Sequence, residues 1–272
     1  MHQYTGVAFY MVAHMDDWQL FMNPSAYRDM SSTNQKVVFI YITANDSGAN
    51  ENYWRANEEA ARSSVRFGLP GSLGLGETSG VVLLNNHMVH RWSLGNAACY
   101  FLRLPDGNVD GSGFASGGYQ SLQMLRRGMI PSITALDRSC VYSGWPDLID
   151  LLQRIVERES EGIASIALHF PEANPVLNPG DHSDHYSAGL AVEAMPKYFR
   201  CHRYAYLGYA LSESPPDLTG DDLFWKYALF IAYDRTLFDL TRYSLLKLAP
   251  ATYITFCQRA GQFRYTPPQL KP

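Results

Sequence analysis

Continuous runs of apolar residues alternate along this chain with segments in which apolar residues recur at helical spacing. Residues 7–13 and 37–43 form two such runs, each of the length expected for a strand that is buried on both faces. The first run ends at His14, and the second is followed by a turn-like segment at 44–48. A third run covers 163–170. We expect all three runs to be buried β-strands.

Two further segments carry the pattern of a helix. Between 51 and 67, alanine and valine recur at helical spacing before Gly68, which is a typical signal for a helix end. Between 148 and 156, apolar residues follow an i, i+3, i+4, i+7, i+8 pattern, and Asp147 is placed to cap that helix. Strand, helix, strand in this order predicts an α/β fold with a Rossmann-like, mostly parallel sheet flanked by helices.

The chain is long enough for one large domain. It has 272 residues, of which 46% are hydrophobic, and it contains no internal repeat or linker that would divide it. We therefore treat 1–272 as a single domain. Residues 71–145 are glycine-rich in places, and they are predicted to form long loops or a small β insertion that covers the site as a lid.

Two polar clusters lie close behind predicted strands, residues 14–17 (HMDD) and residues 181–185 (DHSDH). In parallel sheets, ligands bind beyond the carboxyl ends of the strands, which is where both clusters would meet. Either cluster alone could simply hold aspartates that cap a helix and histidines in polar loops. Because both clusters are expected at the same edge of the sheet, a functional site is favoured.

The residue types in these clusters suit a hydrolytic metal site. Two imidazoles and one carboxylate give zinc three ligands and leave a position for water. The neighbouring carboxylates of Asp16 and Asp17 can then take different roles. One binds the metal, and the other accepts a proton from water.

Charge and composition narrow the range of partners. The net charge is −4 and the chain has no dense lysine or arginine cluster, so nucleic acid and anionic membranes are poor partners. The first residues lack a basic signal region, and the apolar stretch at 7–13 is much shorter than the roughly 20 residues that span a bilayer. Four scattered cysteines form no CxxC pair. We expect a cytoplasmic protein without an integral membrane segment that acts on a small molecule.

The motifs resemble a known family. Residues 12–17 (VAHMDD) are similar to the AHPDDE signature of the LmbE-like, or GlcNAc-phosphatidylinositol de-N-acetylase (PIG-L), family. Residues 182–185 (HSDH) resemble its second signature, HxDH, and 104–107 (LPDG) resemble a recurring segment. Residues 43–68, with Arg55, resemble the family's second strand, loop and RxxE-bearing helix.

This resemblance implies a zinc-dependent N-deacetylase with one zinc ion per chain. Carried over position by position, it implies that His14, Asp17 and His185 bind the metal. The expected substrate is a small glycoconjugate that bears an N-acylglucosamine group.

The resemblance also assigns roles around the metal. Asp16 would be the general base, and a protonated His182 would stabilise the oxyanion and help to protonate the leaving amine. Asp184 would support the metal ligands from behind, and Arg55 would hold polar groups of the substrate.

Two residues depart from the family signature. Met15 stands in place of the usual proline, and Trp18 in place of the usual glutamate. Neither position supplies a metal ligand, but Trp18 is expected to add an apolar substrate-binding surface beside the metal. Among family members the chain most resembles the teicoplanin-type deacetylases of glycopeptide antibiotics, which implies an N-acylglucosaminyl group on an aromatic peptide pseudoaglycone as substrate.

Other interpretations of the clusters stay open. The same ligand types form the 2-His-1-carboxylate site of non-haem Fe(II) oxygenases, although the α/β pattern is unlike the many short strands of a jelly roll. A sugar-binding module with a structural metal is a third possibility, and a simpler N-acetylglucosaminide is an alternative substrate.

Overall fold

A central β-sheet organises the molecule, and the computed structural model describes it for residues 4–71, 74–196 and 200–265. Eight strands follow the order β10-β9-β8-β1-β2-β5-β4-β3, and β6 and β7 form a separate ribbon. The strands are β1 (Gly6–Val12), β2 (Gln35–Thr43), β3 (Glu77–Leu84), β4 (His87–Leu94), β5 (Ala97–Leu104), β6 (Ile133–Thr134), β7 (Val141–Tyr142), β8 (Ser165–Pro171), β9 (His202–Tyr206) and β10 (Gln262–Tyr265).

Five strands in the middle of the sheet, from β9 to β5, are parallel. The edge strands β10, β4 and β3 each run antiparallel to their neighbour. This mostly parallel α/β sheet confirms the fold class expected from the sequence. The helices are α1 (Asp17–Phe21), α2 (Ser25–Ser31), α3 (Glu51–Gly68), α4 (Leu122–Arg126), α5 (Trp145–Glu159), α6 (Ser183–Glu193), α7 (Gly220–Thr241), α8 (Leu245–Leu248) and α9 (Pro250–Cys257).

Helices cover both faces of the sheet, and each face has its own apolar core. Alternate residues of β1 point to opposite faces, as the pleat of a strand requires. Phe9 and Met11 join the core beneath α5 and α6. Tyr10 and Val12 join the core beneath α1, α3 and α7. A strand buried on both sides must be apolar throughout, which explains the uninterrupted run in the sequence.

The structure confirms the three predicted strands as β1, β2 and β8, and the helix at 51–67 as α3. The helix expected at 148–156 is longer than predicted, since it begins at Trp145 with Pro146 in its first turn. Asp147 is therefore not the capping residue. Its carboxylate lies inside the first turn and accepts a hydrogen bond from the Ser143 backbone at 2.7 Å.

Only part of the segment 71–145 lies outside the main sheet. Its first half, as far as the structure describes it, contributes β3, β4 and β5 to the main sheet. Every residue of β5 is buried, because this strand lies inside the sheet beside β2. Beyond β5, the chain turns back at Asp106 to Val109 along the carboxyl edge of the sheet, where it meets the site described below.

The C-terminal helices lie against α3 and close over the same edge. The Ser64 hydroxyl donates to the Leu229 carbonyl at 2.8 Å, and the Tyr233 hydroxyl donates to the Asn57 side chain at 2.6 Å. Helices α8 and α9 then contact each other, and α9 contacts α1. Among the helices that the structure describes, none is long and apolar enough to cross a membrane.

A buried ion pair fixes the end of β5. Arg103 has a left-handed backbone conformation with φ of 58°, and its guanidinium donates to both carboxylate oxygens of Glu58 on α3 at 2.5 and 2.8 Å. A third nitrogen donates to Asp137 at 2.6 Å. Arg103 is only 5% exposed, so solvent screens this bidentate ion pair between β5 and α3 only weakly.

Removing this guanidinium should destabilise the fold. In Arg103→Met, the buried Glu58 carboxylate loses both hydrogen bonds from Arg103 and is left with Arg62 at 3.7 Å, and breaking a buried pair costs up to about 3–5 kcal/mol. The free energy of unfolding, from denaturant titration, measures the effect. Arg154→Met is the control, because Arg154 pairs with Glu157 on the surface and such pairs contribute about 0–1 kcal/mol. Equal losses in the two variants would contradict a special role for Arg103.

Candidate active site

A cavity of about 920 Å³ opens at the carboxyl edge of the sheet. The parallel strands deliver side chains to it as they end, as expected for an open α/β sheet. His14 and Asp17 follow β1, Asn45 follows β2, and Asp106 follows β5. His185, on α6, comes from the segment after β8. Residues that are far apart in the sequence therefore face one space.

Three donor atoms of this cavity lie close together. The Nδ1 atom of His14 is 3.1 Å from the Nε2 atom of His185. The Oδ1 atom of Asp17 is 3.1 Å from that Nε2 atom and 3.6 Å from the His14 Nδ1 atom. All three residues are buried. Ligands 2.0–2.2 Å from a tetrahedral zinc ion are separated by about 3.3–3.6 Å. One of the three separations lies in that range and the other two are about 0.2 Å shorter, so small movements would let these atoms bind such an ion.

The orientation of Asp17 is set by its own backbone. Its second oxygen, Oδ2, accepts a hydrogen bond of 2.7 Å from the backbone N–H of His14. This bond turns Oδ1 towards the two imidazoles. Asp17 is also the first residue of α1, so the helix holds its Cα in place.

Each histidine has a carboxylate on the far side of its ring. The His185 Nδ1–H donates to Oδ1 of Asp181 at 2.8 Å, which leaves Nε2 free to bind a metal. The His14 Nε2 atom lies 3.5 Å from Oδ2 of Asp184 and has no hydrogen-bond partner among the described residues. Carboxylates in this position fix the tautomer and raise the basicity of a metal-binding imidazole.

In this cluster, burial and the neighbouring charges shift the pKa values in opposite directions. Burial alone lowers the pKa of His14 and of His185, but the nearby Asp17 carboxylate raises both pKa values well above the ordinary value of histidine. In return, burial raises the pKa of Asp17, but the two imidazoles hold it well below its usual range. Without a metal, protons therefore supply the positive charge that the carboxylate requires.

A second grouping of donors shares His14. His14, Asp106, His182 and Asp184 are all buried, and they are the other described set that could hold an ion. Its separations are longer, with 3.5 Å from the His14 Nε2 atom to Asp184 and 3.8 Å to Asp106. Asp184 Oδ2 already accepts a 2.7 Å bond from Gly107. The set with Asp17 and His185 fits a metal better.

Asp16 lines the cavity beside the three donors without being one of them. Burial and the charge of Asp17 raise the pKa of Asp16 to about 6. Its Oδ1 atom accepts a long hydrogen bond of 3.4 Å from the Asn45 side chain. A carboxylate with a pKa near the working pH is suited to exchange protons with water.

His182 is a neutral imidazole in this structure. Burial and the positive charges on His14 and His185 lower the pKa of His182 to about 2. Its Nδ1 atom accepts a 3.2 Å hydrogen bond from the Asp184 backbone, so the proton is on Nε2, which points towards Asp106 at 3.7 Å. Burial and the two charged rings oppose the protonated form of His182, which stays a prediction.

Gly107 explains part of the 104–107 motif. Its backbone N–H donates to Asp184 at 2.7 Å, and a Cβ atom at this position would lie 2.5 Å from the other Asp184 oxygen. Only a glycine lets the β5 loop approach Asp184 so closely. Asp106, one residue earlier, donates its backbone N–H to the Asp46 carboxylate at 2.8 Å. The loop is thus held from two sides.

Two residues expected to touch substrate lie elsewhere. Trp18 is 0% exposed, and its indole N–H donates to the Tyr41 hydroxyl at 2.9 Å within the core. The Arg55 side chain is 51% exposed and pairs with Glu51 on the outer face of α3. Neither residue lines the cavity. Trp18 turns inward because it follows Asp17 by one residue, about 100° around the helix.

Three residues of the site, Asp181 behind His185 and the cavity residues Asp106 and Tyr209, were not predicted in a role. Asp181 was visible within the DHSDH cluster, and its position four residues before His185 could have indicated its hydrogen bond with that histidine. Asp106 was visible only through the LPDG motif. Tyr209 packs its ring 5.5 Å from that of His185 and follows β9, which no local pattern identified.

Comparison with known proteins adds little to this geometry. No protein-family model matches the chain, and no curated protein sequence matches it. One similar solved structure is N,N'-diacetylchitobiose deacetylase from Pyrococcus horikoshii in complex with its inhibitor MPG. The likeness has a TM-score of 0.49 at 13% identity and covers 97% of this chain and 84% of that chain. The function is therefore inferred from the site itself.

Metal binding at this site should weaken steeply as the pH falls. The raised pKa values of His14 and His185 mean that a cation must displace protons from both rings, so acid favours the metal-free state. Calorimetric titration with zinc should give an affinity that rises with pH and a release of about two protons per ion. His90→Asn is the control, since His90 lies outside the described metal-binding groups. An affinity independent of pH would contradict the assignment.

Proposed function

We propose that this chain is a zinc-dependent amidohydrolase that removes the N-acyl group from a glucosaminyl moiety. The observation that carries the proposal is the buried triad of His14, Asp17 and His185, which opens into the same cavity as the unliganded carboxylate of Asp16. The motifs at 12–17 and 182–185 support membership of the LmbE-like family of N-deacetylases.

One zinc ion per chain fits the proposed site. Two imidazole nitrogens and one carboxylate oxygen are ligands that zinc prefers, and three protein ligands are typical of a catalytic ion. Such an ion activates water and polarises a carbonyl group when it is bound. The Asp181 carboxylate keeps His185 in the tautomer that leaves Nε2 free, and the Asp184 carboxylate lies 3.5 Å from the His14 Nε2 atom.

Asp16 is the group that moves protons. Its carboxylate accepts a proton from the attacking water, since its pKa of about 6 leaves it largely ionised at neutral pH. After attack on the amide carbon, the same carboxyl group returns that proton to the leaving amine. Burial lowers the pKa of His182 and so opposes an imidazolium there, which makes Asp16 the better donor of this proton.

His182 stabilises the negative charge that develops on the acyl oxygen. Its Nε2–H is a donor that the Asp184 backbone fixes in orientation through Nδ1. A preoriented donor of this kind stabilises the transition state more than the ground state. Asp106, 3.7 Å from the same nitrogen, holds the ring on its outer side.

The cavity suits a sugar that carries a larger group. Asn45, Ser47 and Asn108 line it with amide and hydroxyl groups that match sugar hydroxyls. Farther from the triad, Tyr53 and Tyr243 pack edge to face with their ring centres 5.6 Å apart, which offers an aromatic surface. We take an N-acetylglucosaminyl glycopeptide pseudoaglycone as the first substrate to test and a simple N-acetylglucosaminide as the second.

Substitution of the base should separate chemistry from metal binding. In Asp16→Asn, the rate of acyl release should fall about 100- to 10,000-fold, as expected for loss of a general base, while zinc stays bound. Acetate release, product mass and bound zinc are measured together. Asp110→Asn is the control, since Asp110 is an exposed carboxylate on the β5 loop outside the cavity lining.

Two results would contradict the proposal. Loss of zinc from Asp16→Asn would mean that Asp16, not Asp17, is the metal ligand. Failure of the zinc-loaded wild-type protein to release acetate from either substrate would contradict amide hydrolysis at this site.

A further inference from the structure

The carboxylate of Asp16 does not cap the helix that it precedes. Asp16 is the N-cap residue of α1, a position where an aspartate commonly accepts a hydrogen bond from the first turn, but within the described part of the chain its side chain makes no such bond. The carboxylate lines the cavity instead, and its Oδ1 atom accepts a hydrogen bond of 3.4 Å from the Asn45 side chain. Asn45, and not the first turn of α1, therefore contacts the proton acceptor of the proposed reaction.

Two buried residues hold Asn45 in turn. The Asn57 Nδ2 atom, on α3, donates to the Asn45 carbonyl oxygen at 3.1 Å, and the Asn45 Nδ2 atom donates to the Tyr233 hydroxyl, on α7, at 3.5 Å. The Tyr233 hydroxyl donates to the Asn57 Oδ1 atom at 2.6 Å, which closes a ring of three hydrogen bonds. Asn57 and Tyr233 are both 0% exposed. We call Asn45, Asn57 and Tyr233 the Asn–Tyr network.

The direction of each hydrogen bond in the Asn–Tyr network follows from the others. Asn57 must turn its NH2 group to the Asn45 carbonyl, so its Oδ1 atom is the acceptor for the Tyr233 hydroxyl proton. The Tyr233 oxygen can then only accept, so Asn45 turns its own NH2 group towards Tyr233. The same NH2 group faces Asp16. A reversed Asn45 amide would place its oxygen against both the hydroxyl oxygen and the carboxylate.

The backbone of Asn45 is fixed as well. It has a left-handed φ of 53°, which asparagine adopts more readily than most residues. The Asn45 N–H donates to the Thr43 hydroxyl at 3.3 Å, and that hydroxyl donates to the Ala13 carbonyl at 2.8 Å. Ala13 directly precedes the metal-binding His14. The turn after β2 is thereby tied to the end of β1, where Asp16 lies.

We propose that Asn45, Asn57 and Tyr233 are positioning residues for the base, because they hold the Asp16 Oδ1 atom and so leave Oδ2 to accept the proton of the attacking water. The inference rests on the proposed function, in which Asp16 is the proton acceptor. Asn57 and Tyr233 lie behind the described lining of the cavity, so they act through Asn45. A base must lie within hydrogen-bond reach of the proton that it takes, so the rotation of the Asp16 carboxylate affects the rate.

Removal of one buried hydroxyl tests the inference. In Tyr233→Phe, Asn45 loses the acceptor that fixes its amide, and kcat should fall about 10- to 100-fold, since a misplacement of about 1 Å can cost that much. KM and the affinity for zinc should not change. Tyr142→Phe is the matched control, because Tyr142 is 1% exposed, its hydroxyl donates to the Leu102 carbonyl at 3.3 Å, and it lies outside the described cavity lining. An unchanged kcat in Tyr233→Phe, or an equal fall in both variants, would overturn the inference.

A double-mutant cycle distinguishes a positioning role from a general loss of structure. If Tyr233 acts through Asp16, Tyr233→Phe should slow the wild-type protein but have almost no further effect in Asp16→Asn. A loss of structure would slow hydrolysis by the same factor in both backgrounds. That additive result would contradict the positioning role.

Asn45→Gly gives a second variant in case Tyr233→Phe does not fold. It removes the contact with Asp16 itself, and glycine adopts the left-handed φ of this position without strain. Its kcat should fall at least as far as that of Tyr233→Phe. Hydrolysis by Asn45→Gly at the wild-type kcat would overturn the inference.

Crystal structures test the Asn–Tyr network separately from the proposed function. If the zinc-loaded wild-type protein hydrolyses no amide, the proposed function is contradicted, and the side-chain positions still test the network. The Asp16 carboxylate should turn away from its wild-type direction in Tyr233→Phe and keep that direction in Tyr142→Phe. An unmoved Asp16 carboxylate in Tyr233→Phe would show that the network does not position it.

Discussion

The buried carboxylate of Asp17, held between the imidazoles of His14 and His185, is the interaction on which the arrangement of the site depends. A carboxylate in this position is stable only if positive charge is kept beside it. Protons on the two rings supply that charge without a metal, and a divalent cation supplies it better. Hydrogen bonds orient two of the three donors: the His14 backbone N–H orients Asp17, and Asp181 orients His185.

The order of strands in the sheet places the other cavity residues around the metal-binding residues. Because parallel strands end at one edge, the middle strands bring the metal-binding residues together and the outer strands provide the two flanks of the cavity. The Arg103 pair with Glu58 anchors the end of β5, and Gly107 lets the following loop reach Asp184. This buried ion pair thus supports the side of the cavity that follows β5, while α8 and α9 supply residues to another side.

The central strands could be predicted from the sequence, because a strand buried on both faces must be apolar. The end of each strand could be predicted too, because the residue that follows it must leave the sheet. That rule located His14 after β1 and the Asn45 turn after β2. It could not orient Trp18, because α1 is a five-residue helix whose direction depends on tertiary packing. Spacing from Asp17 was the better guide, as Phe21 at i+4 shares its face and lines the cavity.

The contribution of the C-terminal helices could not be predicted in this way. Their residues reach the cavity from segments more than 50 positions beyond His185, and no motif links the two. Arg55 illustrates the opposite case, since its motif was visible but its side chain pairs with Glu51 on the surface. What a motif implies for one residue depends on the face of the helix that the fold exposes.

Anomalous diffraction at the zinc edge from crystals of the zinc-loaded protein tests the central claim most directly. We expect one strong peak about 2.0–2.2 Å from the His14 Nδ1, Asp17 Oδ1 and His185 Nε2 atoms, with Asp16 facing the ion but not bound to it. A peak on the other side of His14, between its Nε2 atom and the carboxylates of Asp106 and Asp184, or no peak in the cavity, would contradict it.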